Sequence, residues 1–280
     1  MREVAIIGAG ELGGAIAHAI ARAEIAPMVR LVDETAHVAA GKALDIMQAA
    51  PVEAFSTRLV GSTDPLDAGG ADLVVIADRA DGAGEWRGDE ALALLRRVAP
   101  APDAAVVCAG AGQRDLIERA VRDLRLKRGR VVGSAPEALA AAVRALVALE
   151  TDRSPDDVAL ALAGVPPDLV VICWEDASVA GYAAGRVLDE PTRRRIISRL
   201  PALWPPGPFA LASAAARVAL GIAGRSRRST VCFVAPDDSS GRRVRTAALP
   251  VRLRAGGLDR VVLPELNVHD RVALDNAMVL

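Results

Sequence analysis

Three glycines near the amino end have the spacing of a phosphate-binding turn. The stretch VAIIGAGELGGAIAHAI places Gly8, Gly10 and Gly13 between an apolar run and a helical pattern. In such a turn the first glycine allows a tight bend, the second lets the backbone approach a pyrophosphate, and the third lets the helix lie close to the strand. Unpaired N–H groups at the helix start, around Glu11 and Leu12, attract phosphate oxygens. We therefore expect a dinucleotide to bind over this turn.

A carboxylate follows the turn at the distance that such a site uses. Asp33 ends the second apolar run, twenty residues after Gly13. Its carboxylate can accept hydrogen bonds from both ribose hydroxyls and would repel a 2′-phosphate, which favours NAD over NADP. Glycines also mark ordinary turns, so a fold of this class without a bound dinucleotide stays open as an alternative.

The elements that must position these residues alternate between short apolar runs and helical patterns. Apolar runs without alternation are typical of parallel strands that are covered on both faces. Six of them, at residues 4–7, 29–32, 57–60, 72–77, 104–109 and 130–133, predict an α/β fold with a doubly wound parallel Rossmann sheet.

The second half of the chain has a different rhythm. Residues 136–150 read as one long helix that opens with a proline, and two short strands follow at 158–164 and 168–174. Further helices precede a terminal meander of strands and a last helix near 267–278. We predict a dinucleotide-binding domain at residues 1–134 and a second, α+β domain at residues 135–280.

Composition argues against several classes of partner. The formal net charge of −1 disfavours nucleic acid and anionic membranes, and no apolar run is long and clean enough to span a bilayer. Cys108, Cys173 and Cys232 stand apart in apolar surroundings, which indicates buried, reduced thiols in a cytoplasmic protein. The acidic pairs 156–157 and 237–238 read as turn or cap residues, so we predict no metal site.

Longer motifs resemble a known family. GKALDIMQAAPVEAF at 41–55, GSTDPLDAGGADLVVIA at 61–77 and the stretch from ALPVRLRAGGLDRVVLPEL to the end resemble the lactate/malate dehydrogenases, and most of all the bacterial, lactate-dehydrogenase-like malate dehydrogenases. The resemblance thins between about residues 77 and 209. It implies an NAD-binding Rossmann domain, a substrate domain and a homodimer or homotetramer.

The residues that the family uses for chemistry are replaced at the matching positions. Hydride transfer from a 2-hydroxy acid needs a base, an arginine fork for the substrate carboxylate, and a group that polarises the carbonyl. Val165 stands where the resemblance places the histidine base, Leu139 at its orienting aspartate and Ala142 at the clamp arginine. The family's asparagine has no counterpart except the nearby Gln113, and Arg87 lies one residue from the second loop arginine. Arg87 is therefore the remaining catalytic candidate.

The three histidines offer no evident substitute for the base. His18 falls on the first helix, His37 follows the ribose aspartate, and His269 opens the terminal helix. The positions of His18 and His269 favour a structural or solvent-exposed role, and His37 belongs to the adenosine side of the cofactor, far from the nicotinamide. None of the three falls in the predicted strand–turn region of the second domain.

Three interpretations follow. The first is an NAD-binding pseudoenzyme of the malate dehydrogenase type, which has lost the malate–oxaloacetate reaction and whose partners are NAD(H), a small carboxylic acid and copies of itself. The second is an active NAD-dependent oxidoreductase, which acts on malate or another small 2-hydroxy or 2-oxo acid through repositioned groups such as Arg87, Gln113 or Asp168. The third is a structural fold that binds no cofactor.

Overall fold

The computed structural model describes residues 1–35, 37–236 and 245–279, so the acidic pair at 237–238 lies outside the described residues. Strands and helices alternate through the first half. In chain order they are β1 (Glu3–Ile7), α1 (Glu11–Arg22), β2 (Met28–Val32), α2 (Val38–Glu53), β3 (Arg58–Ser62), β4 (Leu73–Ile76), α3 (Gly88–Val98), β5 (Ala105–Cys108), α4 (Arg114–Asp123) and β6 (Val131–Gly133). The strands lie in the order β3-β2-β1-β4-β5-β6 and all pair in parallel. The predicted doubly wound sheet is confirmed.

Helices and strands of uneven length make up the second half. They are α5 (Ala135–Thr151), β7 (Val158–Ala159), β8 (Leu162–Val165), β9 (Leu169–Ile172), β10 (Ser178–Val179), β11 (Tyr182–Ala183), α6 (Ala184–Val187), α7 (Glu190–Arg199), α8 (Pro208–Ile222), β12 (Thr230–Val234), β13 (Ala247–Arg254), β14 (Gly257–Val261) and α9 (Val268–Val279). Strand β12 pairs antiparallel with β6, so within the described residues one eleven-stranded sheet runs through both halves. The division at residue 134 stays a prediction.

Strand register brings three loops to one edge of the sheet. Ile7 pairs with Val32 of β2 on one side and with Ile76 of β4 on the other, so these three strands end side by side. The segments that begin at Gly8, Asp33 and residue 77 therefore start next to one another. Open α/β sheets bind ligands at this carboxyl edge.

Burial of apolar side chains holds that edge in place. Residues 4–7 of β1 and 73–76 of β4 are buried, because helices cover both faces of the sheet. On α1 the buried residues Leu12, Ile16 and Ile20 repeat every four positions, which turns one stripe of the helix towards the core. Helix α1 also packs closely against α8, which links the glycine turn to the second half.

Within the described ranges 1–35, 37–236 and 245–279, we find no helix with the length and hydropathy needed to cross a bilayer.

Candidate functional site

The three glycines form the tight turn that their spacing predicts. Gly8 has a positive φ of +104°, and its N–H donates to the carbonyl of Val32 at 2.7 Å. A Cβ on Gly13 would lie 1.9 Å from the carbonyl oxygen of Gly8, so only glycine allows the helix to approach the strand this closely. Gly10 is the N-cap of α1, which begins at Glu11. The structure therefore contains the backbone frame of a phosphate-binding turn.

Asp33 lies beside this turn and is engaged by backbone groups. Its Oδ2 accepts hydrogen bonds from the N–H groups of Ala9 at 2.8 Å and Ala80 at 2.9 Å, and Oδ1 accepts from Thr35 at 2.9 Å. Burial opposes ionisation, since the residue is only 6% exposed, but these N–H groups outweigh it and hold the pKa of Asp33 below its ordinary value. The carboxylate thus joins the glycine turn to the segment that follows β4.

The N–H groups at the start of α1 meet a second carboxylate, which the sequence analysis did not identify. Asp78 lies two residues beyond the end of β4, and its Oδ1 accepts from Gly13 N–H at 2.8 Å while Oδ2 accepts from Leu12 N–H at 3.1 Å. A Cβ on Gly10 would lie 2.3 Å from Asp78 Oδ2, so the side chain rests directly on the glycine turn. Lys42 adds a positive charge nearby, because its Nζ donates to the carbonyl of Gly10 at 2.5 Å. A signal was available in the sequence: an aspartate that ends an apolar strand is expected at this edge.

Glu85 makes a similar contact at the next loop along the edge. Its two carboxylate oxygens accept from the N–H groups of Ala111 at 2.9 Å and Gly112 at 2.8 Å, just after β5. Arg87 Nη2 lies 3.2 Å from Glu85 Oε2, and 63% of the arginine side chain is exposed. The candidate Arg87 therefore lies exposed at the carboxyl edge of the sheet, where it forms an ion pair with Glu85.

Gln113 is buried and serves the backbone. Its Oε1 accepts from Gly110 N–H at 3.0 Å, and its Nε2 donates to the carbonyls of Ala77 at 3.1 Å and Trp86 at 3.2 Å. The amide thereby ties the segment after β4 to the loop after β5. These three hydrogen bonds all go to main-chain atoms, so the Gln113 side chain holds the two loops together.

The three residues at the positions that the resemblance assigns to catalysis lie in the second half. Val165 ends β8, while Leu139 and Ala142 lie in α5, where Leu139 is fully buried. All three side chains are hydrocarbon. Asp168, a candidate of the alternative interpretation, is an exposed residue of the turn between β8 and β9.

The histidines lie in separate elements. His18 Nε2 is 2.8 Å from Glu53 Oε2, an ion pair between α1 and α2 when the imidazole is protonated. His37 precedes α2 with a positive φ of +65°, and His269 lies in the first turn of α9. In the part of the chain that the structure describes, no group of three acids, histidines or cysteines is placed to hold a metal ion.

The second half contains a large polar cavity of about 540 Å³. Glu137 lines it and is buried at 2% exposure, with Oε1 at 2.6 Å from Arg144 Nη2 and 3.2 Å from Arg217 Nε. Its Oε2 accepts from Val231 N–H at 2.8 Å. This cluster ties α5 to α8 and β12.

Placing a dinucleotide on these residues gives a mixed result. The glycine turn fits the turn of such a site, and Asp33 directly follows β2, where the ribose carboxylate is expected, but it is buried and already accepts three backbone hydrogen bonds. The pyrophosphate does not fit in this conformation, because the N–H groups that would receive it already donate to Asp78.

Comparison with known proteins identifies the family. Residues 2–97 match the family model described as lactate/malate dehydrogenase, NAD binding domain. The malate dehydrogenase of Thioalkalivibrio sulfidiphilus is 32% identical over 208 residues, which cover 71% of this chain and 68% of that protein. The malate dehydrogenase of Desulforudis audaxviator is 28% identical over 295 residues, which cover 99% of this chain and 95% of that protein.

Solved structures of the same enzymes share the fold. The malate dehydrogenase of Salinibacter ruber superposes with a TM-score of 0.86 at 24% identity, covering 98% of this chain and 93% of that one. The lactate dehydrogenase of Cryptosporidium parvum, solved with lactic acid and β-nicotinamide adenine dinucleotide, superposes with a TM-score of 0.83 at 19% identity, covering 99% of this chain and 94% of that one. The chain belongs to the lactate/malate dehydrogenase family.

Proposed function

We propose that this chain is an NAD-binding member of the family that does not interconvert malate and oxaloacetate. One observation carries the proposal: Val165, Leu139 and Ala142 occupy the positions that the resemblance assigns to the base, its orienting aspartate and the clamp arginine. None of these side chains can accept a proton or pair with a carboxylate. NAD is the cofactor for which the matched amino-terminal domain is described.

The chemistry explains why these replacements matter together. NAD accepts a hydride, but the protein must take the hydroxyl proton of the acid and hold the acid's carboxylate. A positioned base contributes roughly 10²–10⁴ in rate, and a bidentate arginine provides both orientation and charge. Because the base and the clamp arginine are both replaced, we expect the rate of malate oxidation to fall by more than the loss of either group alone would cause.

The remaining polar candidates are engaged elsewhere. Arg87 pairs with Glu85, and Gln113 bonds to three backbone groups. Asp168 is not engaged in this way but is exposed in the turn between β8 and β9. These contacts support the first interpretation over an active oxidoreductase with repositioned groups.

One titration distinguishes the interpretations. NADH is added to the full chain up to millimolar concentration while its fluorescence is followed, and oxaloacetate is then added to the same sample. We expect saturable NADH binding and no oxidation of NADH faster than in buffer without protein. The Salinibacter ruber malate dehydrogenase is the positive control. Sustained turnover would contradict the proposal; if it occurred, loss of that turnover in Arg87→Ala would establish the repositioned mechanism. Absence of NADH binding would instead favour the structural fold.

We also propose that the chain forms a homodimer or homotetramer in the cytoplasm, without nucleic acid or membrane partners, and that a small carboxylic acid is a second ligand. The resemblance to dimeric and tetrameric enzymes supports self-association, and an interface could cover exposed apolar side chains such as Val52 on α2 and Phe209 on α8, which are 86% and 77% exposed. Burial raises the pKa of Cys108 and Cys232 to about 12, which fits unreactive, reduced thiols. Light scattering on the purified chain measures its mass, and a monomer would contradict the assembly.

A further inference from the structure

We propose that Asp78 is a built-in competitor of the dinucleotide, so that NAD(H) binds only when the Asp78 carboxylate leaves the start of α1. The inference rests on the proposed NAD-binding function and adds a control to it. It concerns a residue outside the glycine turn, supplied by the segment that follows β4, the strand next to β1 in the sheet.

The contact involves the donors that a pyrophosphate needs. Asp78 receives hydrogen bonds from the N–H groups of Leu12 and Gly13, in the first turn of a twelve-residue helix. The start of such a helix carries about half a positive charge, which stabilises an anion there. A carboxylate and a phosphate seek the same N–H groups and the same field, and each N–H donates fully to only one of them.

Two anions cannot share this position. Unit charges about 4 Å apart repel strongly in a half-buried site, and the Gly10 backbone lies too close to the Asp78 carboxylate for a phosphate oxygen to fit between them. Binding therefore requires the side chain to rotate outward. The apparent Kd is then raised by the reciprocal of the fraction of molecules in which the carboxylate has moved.

The segment that carries Asp78 is fixed, so the change can be confined to the side chain. Gly10 N–H donates to the Asp78 carbonyl at 3.1 Å, and Asp78 forms a β-bridge with Glu85. Asp33 holds Ala80 through its N–H, and Glu85 is held by the loop after β5. These main-chain contacts stay in place when the Asp78 side chain turns away.

The test compares charge removal at two positions of the same segment. Asp78→Asn keeps an acceptor oxygen for the helix start but removes the charge, and Asp78→Ala removes both. Asp81→Asn is the matched control, because Asp81 is exposed and bonds only to the nearby Ala83 N–H among the contacts that the structure describes. Thermal unfolding confirms that each variant is folded. Calorimetry then measures the Kd of NADH and, separately, of inorganic pyrophosphate.

We expect Asp78→Asn to lower the Kd of both probes at least tenfold, with Asp78→Ala similar or greater and the control within twofold of the wild type. Tighter pyrophosphate binding in both Asp78 variants, with no NADH binding by any protein, would support the competition and contradict the proposed NAD function. Equal NADH affinity in wild type and variants would overturn the competition and leave the NAD function standing. Weaker binding in the variants, or binding of neither probe by any protein, would also overturn it.

Discussion

Asp33 offers a direct test of how the site is held together, through the substitution Asp33→Asn. The change preserves shape and removes one negative charge from a residue that is 6% exposed. Wild-type Asp33 accepts three backbone hydrogen bonds of 2.8–2.9 Å, from Ala9, Thr35 and Ala80. An asparagine has one acceptor oxygen, and its amide must direct N–H groups at a backbone donor.

The expected loss follows from that count. Hydrogen bonds to a charged group contribute about 1.5–3 kcal/mol each, and an unsatisfied buried donor costs a similar amount. Asparagine loses at least one bond and weakens the others, while the removal of a buried charge offsets part of the cost. We expect the free energy of unfolding to fall by about 3 kcal/mol, which lowers Tm by roughly 6–12 °C for a chain of this size.

The effect depends on pH with a definite sign. The folded-state pKa of Asp33 is lowered, so its stabilisation is present in full above the unfolded pKa of about 3.9 and is lost as pH falls through the folded value. Urea unfolding of wild type and variant at a series of pH values should therefore give a constant difference from pH 7 to about 5. The difference should shrink below about pH 4.

Asp103→Asn is the control for that measurement, because its side chain is 87% exposed and pairs with Arg130 at 3.3 Å. We expect a change below about 0.5 kcal/mol there, as for most exposed ion pairs. A loss under 1 kcal/mol in Asp33→Asn, or a difference that does not shrink in acid, would refute the assignment of Asp33 as an ionised brace.

Two further substitutions test packing at the turn and in the second half. Gly13→Ala should destabilise the chain by about 3 kcal/mol in urea unfolding and abolish NADH binding, because the new Cβ would meet the Gly8 carbonyl at 1.9 Å. Gly41→Ala, in α2 with no atom within 4 Å of its Cβ, should instead stabilise by about 0.5–1 kcal/mol; equal effects at the two glycines would contradict this account. Glu137→Ala should cost about 3 kcal/mol, because two arginines lose their buried partner. The exposed Glu190→Ala should cost under 1 kcal/mol, and a similar loss in both would show that burial of the pair has no role.

Much of the first half could be predicted from the sequence: β2 and the edge strand β3 are only partly buried, but β1, β4, β5 and β6 are almost entirely buried. Such strands appear as uninterrupted apolar runs, and each of the six predicted runs corresponds to one of β1 to β6. The second half was harder. Strands β7, β10 and β11 are two residues long, which is too short for a pattern to develop, and the pairing of β12 with β6 joins residues about a hundred positions apart.

The glycine turn was predictable for a similar reason, since its function depends on backbone geometry that glycine spacing indicates directly. The contacts of Asp78 were not predicted, because they depend on the register between β1 and β4 and on the direction of one side chain. The same holds for Gln113, which the sequence places near a family asparagine and the structure assigns to backbone carbonyls. In both cases the sequence shows which residue is present, but it does not show which atoms its side chain contacts.

The anion-binding part of the site and its proton chemistry depend on different features of the chain. Asp33, Asp78 and Glu85 all bind backbone N–H groups along one edge of the sheet, and those groups exist wherever the turns are held. Because these donors belong to the backbone, most side-chain substitutions leave them in place. Proton transfer in this family would depend instead on one imidazole and its partner, so on the proposal above a single hydrocarbon residue, Val165 at the position that the resemblance assigns to the base, is enough to remove it. If the reaction is lost as proposed, the fold and these backbone N–H groups can therefore stay in place, and the acids of the chain itself are then the ligands that the donors meet.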